Sequence, residues 1–291
     1  MRRTNKEDYL NSYRVMLGEW ELVSLCDGCF RLDGGSMFGV IPKPLWERKK
    51  PADERNRIRL GLNALLVKSS HGLVLLESGI GDKMSLREED LYGLEREGGL
   101  MQALDAEGCE PEDIDFVIHS HLHLDHCGWA TRDSGGTFQP TFPRARYIVQ
   151  RREWDAATSP DPRSRASYDP RDYSILEQKG LLAPVDGETE IFPGLRVVHT
   201  GGHTPGHQVT YMECGGARCV FLGDLVPTRA HLRVNWHMGW DLYPLDLMEV
   251  KGRILREAAR RHDLLFFTHE DESPFAYVED EAGELRLAPA Q

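Results

Sequence analysis

The run His121-Leu-His123-Leu-Asp125-His126 constrains this chain more than any other feature. It places three imidazoles and a carboxylate within six residues, directly after the apolar stretch Ile114-Asp-Phe-Val-Ile118. A short β-rich run that ends in such a cluster reads as a strand delivering its ligands to a loop at a sheet edge. Imidazole and carboxylate are the preferred ligands of zinc and similar divalent metals. Neighbouring Asp125 and His126 cannot easily aim at the ion that His121 and His123 reach, so the spacing points to two adjacent metals. A solvated His-rich loop is the bland alternative, and it carries no requirement for ligands elsewhere in the chain.

Further ligands are present. Gly201-Gly-His203-Thr-Pro-Gly-His207 follows the strand-like run Leu195-Arg-Val-Val-His-Thr200, and its glycines and proline make a tight turn able to fix one imidazole. Val220-Phe-Leu-Gly-Asp224 is an apolar strand ending in glycine and a carboxylate, and Leu264-Leu-Phe-Phe-Thr-His269 is an apolar run ending in histidine. Strand after strand ends in a ligand type, as expected of a site at one edge of a sheet sandwich.

In this order the motifs resemble the signature of the metallo-β-lactamase superfamily: a His-x-His-x-Asp-His loop, a His-x-Pro-Gly-His turn, a Gly-Asp strand end and a C-terminal strand-end His. The resemblance implies an α/β chain folded as a four-layer αββα sandwich, two mixed β-sheets flanked by helices. It also implies that His121, His123 and His203 hold one metal, that Asp125, His126 and His269 hold the other, and that Asp224 bridges them. His207 and His119 are assigned structural roles. Two divalent ions are expected, zinc first, with manganese, iron or cobalt as alternatives. Water shared by such a pair loses a proton near neutral pH and becomes a nucleophile. Asp125 is placed to orient it and to carry a proton to the leaving group.

Within the superfamily the nearest resemblance is to quorum-quenching N-acyl-homoserine lactonases and related organophosphate hydrolases, through His203-Thr-Pro-Gly-His207-Gln208 and the acids after His269. The expected substrate is therefore a small ester, a lactone before a phosphotriester or a glyoxalase II-like thioester. A single-iron persulfide dioxygenase is the non-hydrolytic alternative. Two positions depart from the pattern. Many such lactonases carry a tyrosine three residues after the bridging aspartate, where this chain has Pro227; His231 is the expected replacement donor. Glu77-Ser-Gly79 stands where Asp-Thr-Gly is usual. Met37 and Phe38, in a glycine-rich loop, are expected to form an apolar pocket wall with Trp236 and Trp240.

The net charge of −12 argues against a nucleic-acid surface, which needs a basic face. No run of about 18 apolar residues is present, so no membrane span is expected. No apolar core follows the basic N-terminus, so no signal peptide is read there. The expected location is the cytoplasm, and the expected partners are a small-molecule substrate and, at most, a second copy in a homodimer. Cys26-Asp-Gly-Cys29 has zinc-knuckle spacing, with Cys214 and Cys219 as its one conceivable partner pair; reduced, packed thiols are favoured, for Cys127 too.

Residues 1–18 read as a polar arm and 19–291 as one hydrolase domain. Strands are expected over 19–31, 57–69, 73–77 and 115–119, with a further short one at Tyr147. A charged, exposed helix and loop is expected over 43–56. Helices are expected over 95–107, from Gln150, over 172–180 and over 245–261. The Pro- and Asp-rich stretch 158–172 reads as a lid-like insertion.

Overall fold

Two seven-stranded sheets form the middle of the molecule in the computed structural model, which describes residues 12–290. The first sheet contains β1 (Arg14–Leu17), β2 (Trp20–Asp33), β3 (Arg57–Ser69), β4 (Gly72–Leu76) and β5 (Ile114–Ile118). After a small separate hairpin, β6 (Thr131–Asp133) and β7 (Phe138–Pro140), it is completed by β8 (Arg146–Gln150) and β9 (Leu182–Val185). The second sheet runs in chain order through β10 (Glu188–Phe192), β11 (Leu195–His199), β12 (Gln208–Cys214), β13 (Ala217–Phe221), β14 (Leu264–Phe266), β15 (Phe275–Glu281) and β16 (Glu284–Pro289). Both sheets are mixed. Strands β4, β5, β8 and β9 pair in parallel, as do β13 and β14, and the other neighbours are antiparallel.

Leu22, Leu65, Val67, Leu76 and Ile118 of the first sheet pack on Leu195, Val197, Met212, Phe221 and Phe266 of the second. Helices cover the outer faces. On the first sheet lie α4 (Gly99–Ala106), α6 (Arg151–Thr158) and α7 (Ser174–Gln178), contributing Leu100, Leu104, Trp154, Ala157 and Leu176 to a second cluster. On the second sheet lies α8 (Pro244–Arg261), which buries Leu247, Ile254, Leu255 and Ala258 at helical spacing. This is the αββα sandwich that the motifs implied. Short helices α1 (Gly34–Phe38), α2 (Lys43–Trp46), α3 (Leu86–Tyr92) and α5 (Leu124–Cys127) lie in the connections. Among the described residues no helix is long and apolar enough to cross a membrane.

Three local expectations change, and one element was not anticipated. The arm was expected over residues 1–18; residues 1–11 lie outside the described residues, and within the remainder Arg14–Leu17 is a strand paired with Trp20–Val23. The helix expected over 95–107 starts only at Gly99, because Gly98 and Gly99 hold positive φ of 85° and 76°. The stretch 43–56 is the short helix α2 followed by a mostly exposed loop, as expected, but two of its side chains are buried. Trp46 is buried and stacked on Phe38 at 5.2 Å, and buried Lys50 pairs with Glu270 at 2.8 Å and with Asp271. Helix α3 was not anticipated: Leu86 and Leu91 are exposed and only Tyr92 lines the cavity, which leaves little periodicity to read.

Lys251 is a second buried lysine, on α8, and its ammonium donates to the Trp236 carbonyl at 2.7 Å. Burial, partly opposed by Asp241, lowers its pKa to about 7. An unfolded lysine titrates near pH ~10.4, so between those values the unfolded state holds more protons and stability rises with pH. Below pH 7 both states are charged and the full burial penalty applies. Lys251→Met removes this slope. The melting temperature of the variant relative to the parent, both metal-loaded, is expected to fall as pH is raised from 7 to about 9.5. A gap that stays constant across that range would show that the amine does not titrate there.

Candidate metal centre and active site

The site lies where β4, β5, β11, β13 and β14 end. β4 and β5 run parallel, as do β13 and β14, and β11 shares the direction of β13 through the antiparallel β12 between them. Their C-terminal ends therefore share one edge, and each hands a polar residue to it: Glu77, the 119–126 loop, the 200–207 turn, Asp224 and His269.

Two clusters result. His121 Nε2 lies 3.0 Å from His123 Nδ1, which lies 3.2 Å from His203 Nε2. Nitrogens about 2.0 Å from a tetrahedral zinc stand roughly 3.3 Å apart, so this spacing fits three ligands of one ion. In the other cluster His126 Nε2 is 3.1 Å from His269 Nε2, and Asp125 Oδ2 is 3.7 and 3.6 Å from the two. Asp224 spans both, with Oδ2 3.3 Å from His203 Nε2 and Oδ1 3.2 Å from His269 Nε2. All seven expected ligand residues thus converge. A third grouping, Glu77 with His121 and His126, reuses members of the first two and defines no separate site.

The chemistry of this donor set fits cations. Asp224 Oδ1 and His123 Nε2 are buried without a hydrogen-bond partner, an expensive arrangement that a bound ion relieves for the carboxylate. Burial and neighbouring imidazoles hold the pKa of His121 and His123 well below the usual histidine range. Burial also opposes charge on His126, yet Asp125, Asp224 and Glu77 raise its pKa to about 10. Burial raises Asp224, but His126, His269 and His203 outweigh it and hold the carboxylate ionised. The surplus of negative charge around His126 calls for positive charge at this point.

Outer hydrogen bonds aim the rings. His203 Nδ1–H donates to Asp241 Oδ1 at 2.8 Å and His269 Nδ1–H to the Gly61 carbonyl at 2.9 Å, leaving each Nε2 lone pair directed inward. His207 accepts the Asp224 N–H at Nε2 (3.0 Å) and is held by the Thr200 hydroxyl at Nδ1 (2.6 Å). It fixes the backbone of Asp224 from behind. His119 contacts the Ser78 hydroxyl at 3.0 Å. Glu77, at φ 63°, accepts the Ser120 N–H at 2.9 Å and stands 3.5 Å from His126 Nδ1, so the longer acid still backs the metal loop.

A cavity of about 160 Å³ opens onto these ligands. Phe30, Leu32, Met37, Leu124, Met238 and Trp240 make its apolar wall, and Tyr92 and Ser167 add hydroxyls. Of the expected wall residues, Met37 and Trp240 line the cavity. Phe38 and Trp236 are packed behind it, ring to ring at 5.7 Å. His231 is not brought to the cavity either. It is fully buried and stacked on Phe38 at 4.5 Å, with its Nε2 on the Met37 carbonyl and its Nδ1 on the Thr228 hydroxyl, both at 2.8 Å. With both nitrogens engaged it has no free N–H for a substrate oxygen, and it braces Met37 instead. Pro227 offers a carbonyl, which accepts the His269 N–H at 2.9 Å.

The 158–172 stretch walls the cavity. Arg163 donates to the Gly239 carbonyl at 2.5 Å, and Ala166 and Ser167 face the opening. Sequence reading missed three further residues here. Asp241 orients His203, and Tyr168 sets its ring edge-on against His123 at 4.9 Å. Glu153, fully buried, accepts Leu122 N–H, Gly206 N–H and the hydroxyls of Tyr168 and Thr204. Gly206 is needed for that approach, since a Cβ there would lie 2.1 Å from the Glu153 nitrogen. An acid in the first turn of a polar helix gives no sequence signal for such a role. The six cysteines are free, and none joins a metal-type cluster among the described residues. Cys127 is buried and donates to the Leu122 carbonyl at 3.4 Å.

Comparison with known proteins agrees with this geometry. The family profile described as the metallo-beta-lactamase superfamily matches residues 58–269, and the chain belongs to that family of metal-dependent hydrolases. An N-acyl homoserine lactonase of a Bacillus species is 31% identical over 219 residues, covering 71% of this chain and 80% of that protein. The N-acyl homoserine lactonase AttM of Agrobacterium fabrum is 29% identical over 188 residues, 63% of this chain and 68% of the relative. Among solved structures, a probable metal-dependent hydrolase from Staphylococcus aureus superposes with a TM-score of 0.87 at 29% identity, covering 95% of this chain and all (100%) of that one. AidC, a dizinc quorum-quenching lactonase solved with a hydrolysis product, superposes with a TM-score of 0.81 at 21% identity, over 98% of this chain and 99% of its own, a likeness of fold.

Proposed function

We propose that this hydrolase is a lactonase that opens a small lactone carrying an apolar acyl group, with two divalent metals, zinc the first choice, held by His121, His123 and His203 on one side, Asp125, His126 and His269 on the other, and Asp224 between. The observation that carries the reading is the apolar cavity standing directly over both ligand clusters. It contains no lysine or arginine, which favours a neutral acyl chain over the charged thiol carrier of a glyoxalase II-like thioester. The lactonase relatives point the same way.

The bound metals would supply a Lewis acid and a water acidified to near neutrality. The chain supplies the rest. Met37, Met238, Trp240, Phe30 and Leu32 bind the acyl group and exclude bulk water from the reacting ester. Asp125, whose side chain is 16% exposed at the cavity floor, accepts the proton released as water adds to the carbonyl carbon. It returns that proton to the ring oxygen as the acyl C–O bond breaks. Water is thereby added across one bond, and the product is an open hydroxy acid.

The test is a substrate panel with the metal-loaded protein: acyl lactones of increasing chain length, a phosphotriester, a thioester and a β-lactam, with acid release followed by indicator. Acyl lactones are expected to give the highest kcat/KM by at least about tenfold, and chelation to abolish the activity until metal is restored. A phosphotriester or thioester ahead of every lactone would overturn the assignment.

A further inference from the structure

Lactone opening leaves negative charge on the ring oxygen as well as on the carbonyl oxygen, and a donor aimed at either accelerates the reaction. The two positions read from the sequence for such a donor are both closed. Pro227 has no N–H, and His231 has spent both nitrogens on Met37 and Thr228. The donor has to come from elsewhere in the cavity.

Tyr92 is the last residue of α3 and lines the same cavity as Asp125, His123, Asp224 and His269. Its ring packs into the apolar cluster that contains Phe30, Met37 and Leu124, while its hydroxyl makes no hydrogen bond to another described residue. The backbone that carries it is fixed at both ends. At the N-terminus Ser85 and Glu88 form a reciprocal capping box, with Glu88 Oε2 accepting the Ser85 N–H at 2.7 Å. At the C-terminus Gly93 turns into the left-handed conformation, and the Arg57 guanidinium donates to the Leu91 carbonyl at 3.2 Å. A half-buried phenol held by so rigid a stem, with an unused hydroxyl, is a preorganised donor.

Its neighbour in the cavity selects the oxygen. Burial and then the Asp125 carboxylate are the leading influences on the phenol, and both raise its pKa, so it stays protonated at neutral pH. Tyr92 and Asp125 line the same cavity with Leu124 between them, so a hydrogen bond from the phenol serves the oxygen to which Asp125 delivers its proton. We propose that Tyr92 is a catalytic hydrogen-bond donor to the leaving ring oxygen, taking from the α3 side the part that a tyrosine after Asp224 would play. The proton delivered to that oxygen comes from Asp125; Tyr92 donates a hydrogen bond and keeps its own proton.

This assignment rests on the ester-hydrolase reading above, and the experiment separates the two. Tyr92→Phe keeps the ring and removes the hydroxyl. On a lactone with an alkyl alkoxide leaving group, kcat is expected to fall roughly ten- to a hundredfold with KM changed less than about threefold. On the matching thiolactone or an aryl ester, whose leaving groups need little help, the loss is expected to stay under about threefold. Calorimetry with the hydroxy-acid product should show weaker binding to the variant at unchanged metal content, a readout independent of turnover. If Tyr92→Phe matches the parent on the alkyl lactone, or loses activity equally on all leaving groups, the assignment of Tyr92 is wrong while the ester-hydrolase reading stands. If the parent cleaves no lactone or ester, both are overturned.

Discussion

Replacing Asp224 by alanine is expected to strip metal from the site and to lower kcat/KM on the best substrate by at least about a thousandfold, ~4 kcal/mol of transition-state stabilisation. The carboxylate is buried, and its two oxygens reach one histidine of each cluster, Oδ2 to His203 and Oδ1 to His269. On the proposed ligand set, removing it would deprive both ions of a ligand at once. It would also remove an anion that offsets the positive charge of two divalent ions in a buried site. Elemental analysis of the variant should fall from two metals per chain to one or fewer. The fold should survive, because the Asp224 N–H still bonds His207 and the inter-sheet core is untouched. A variant that keeps two metals and most of its turnover would show that Asp224 does not link the sites.

Glu153 is expected to give the second largest effect although it touches neither metal nor substrate. Its Oε1 accepts the Leu122 N–H at 3.0 Å and the Tyr168 hydroxyl at 2.9 Å; its Oε2 accepts the Thr204 hydroxyl at 2.5 Å and the Gly206 N–H at 3.3 Å. Leu122 sits between His121 and His123, and Thr204 follows His203, so one carboxylate sets the spacing of all three histidines of the first cluster. Burial pushes its pKa up, and the bonds from Thr204, Leu122 and Tyr168 oppose this. The ionised carboxylate accepts from all four groups at once, two of them backbone N–H groups that can only donate. In Glu153→Gln the amide NH2 must face two of those donors. Metal affinity, measured by chelator competition, should drop roughly ten- to a hundredfold. Glu153→Ala leaves buried donors unpaired and should also lower stability by about 3 kcal/mol. Parent-like metal affinity in the glutamine variant would reduce Glu153 to a packing residue.

The second prediction concerns a residue that the sequence does not advertise, and the contrast with Asp224 shows where the chain's legibility ends. Asp224, His269 and His203 each follow an apolar, strand-like run, so their placement at a sheet edge can be read from local pattern. The loop histidines carry their own spacing. The αββα sandwich was implied by the family resemblance that those ordered motifs carry, and the strands over 19–31, 57–69 and 115–119 matched because alternation and β-branched content are local properties. Helix α3 was not read because its leucines are exposed and leave no apolar face, and the burial of Lys50 within 43–56 was not read because its partners are distant. Lys50 is buried by Glu270 and Asp271, far along the chain, and nothing near Lys50 signals it.

The same division holds inside the cavity. Sequence alone determined which side chains could bind metal, since imidazole and carboxylate chemistry is intrinsic to the residue. It also named Met37 and Trp240 as apolar wall. It could not tell them from Phe38 and Trp236, because Met37 and Phe38 are neighbours on the short helix α1, the two tryptophans share one connection, and only packing decides which side chain faces the metal ligands. His231 shows this most clearly. Near Asp224 in sequence, it is turned into the core by a carbonyl from Met37 and a hydroxyl from Thr228, because a buried imidazole must satisfy both nitrogens wherever partners stand. Tyr92, with no motif around it, reaches the cavity because α3 folds back over the ends of β2 and β3. The presence of ligand-type side chains at strand ends was a local fact of the sequence; the direction of the other side chains around the site was a consequence of long-range packing.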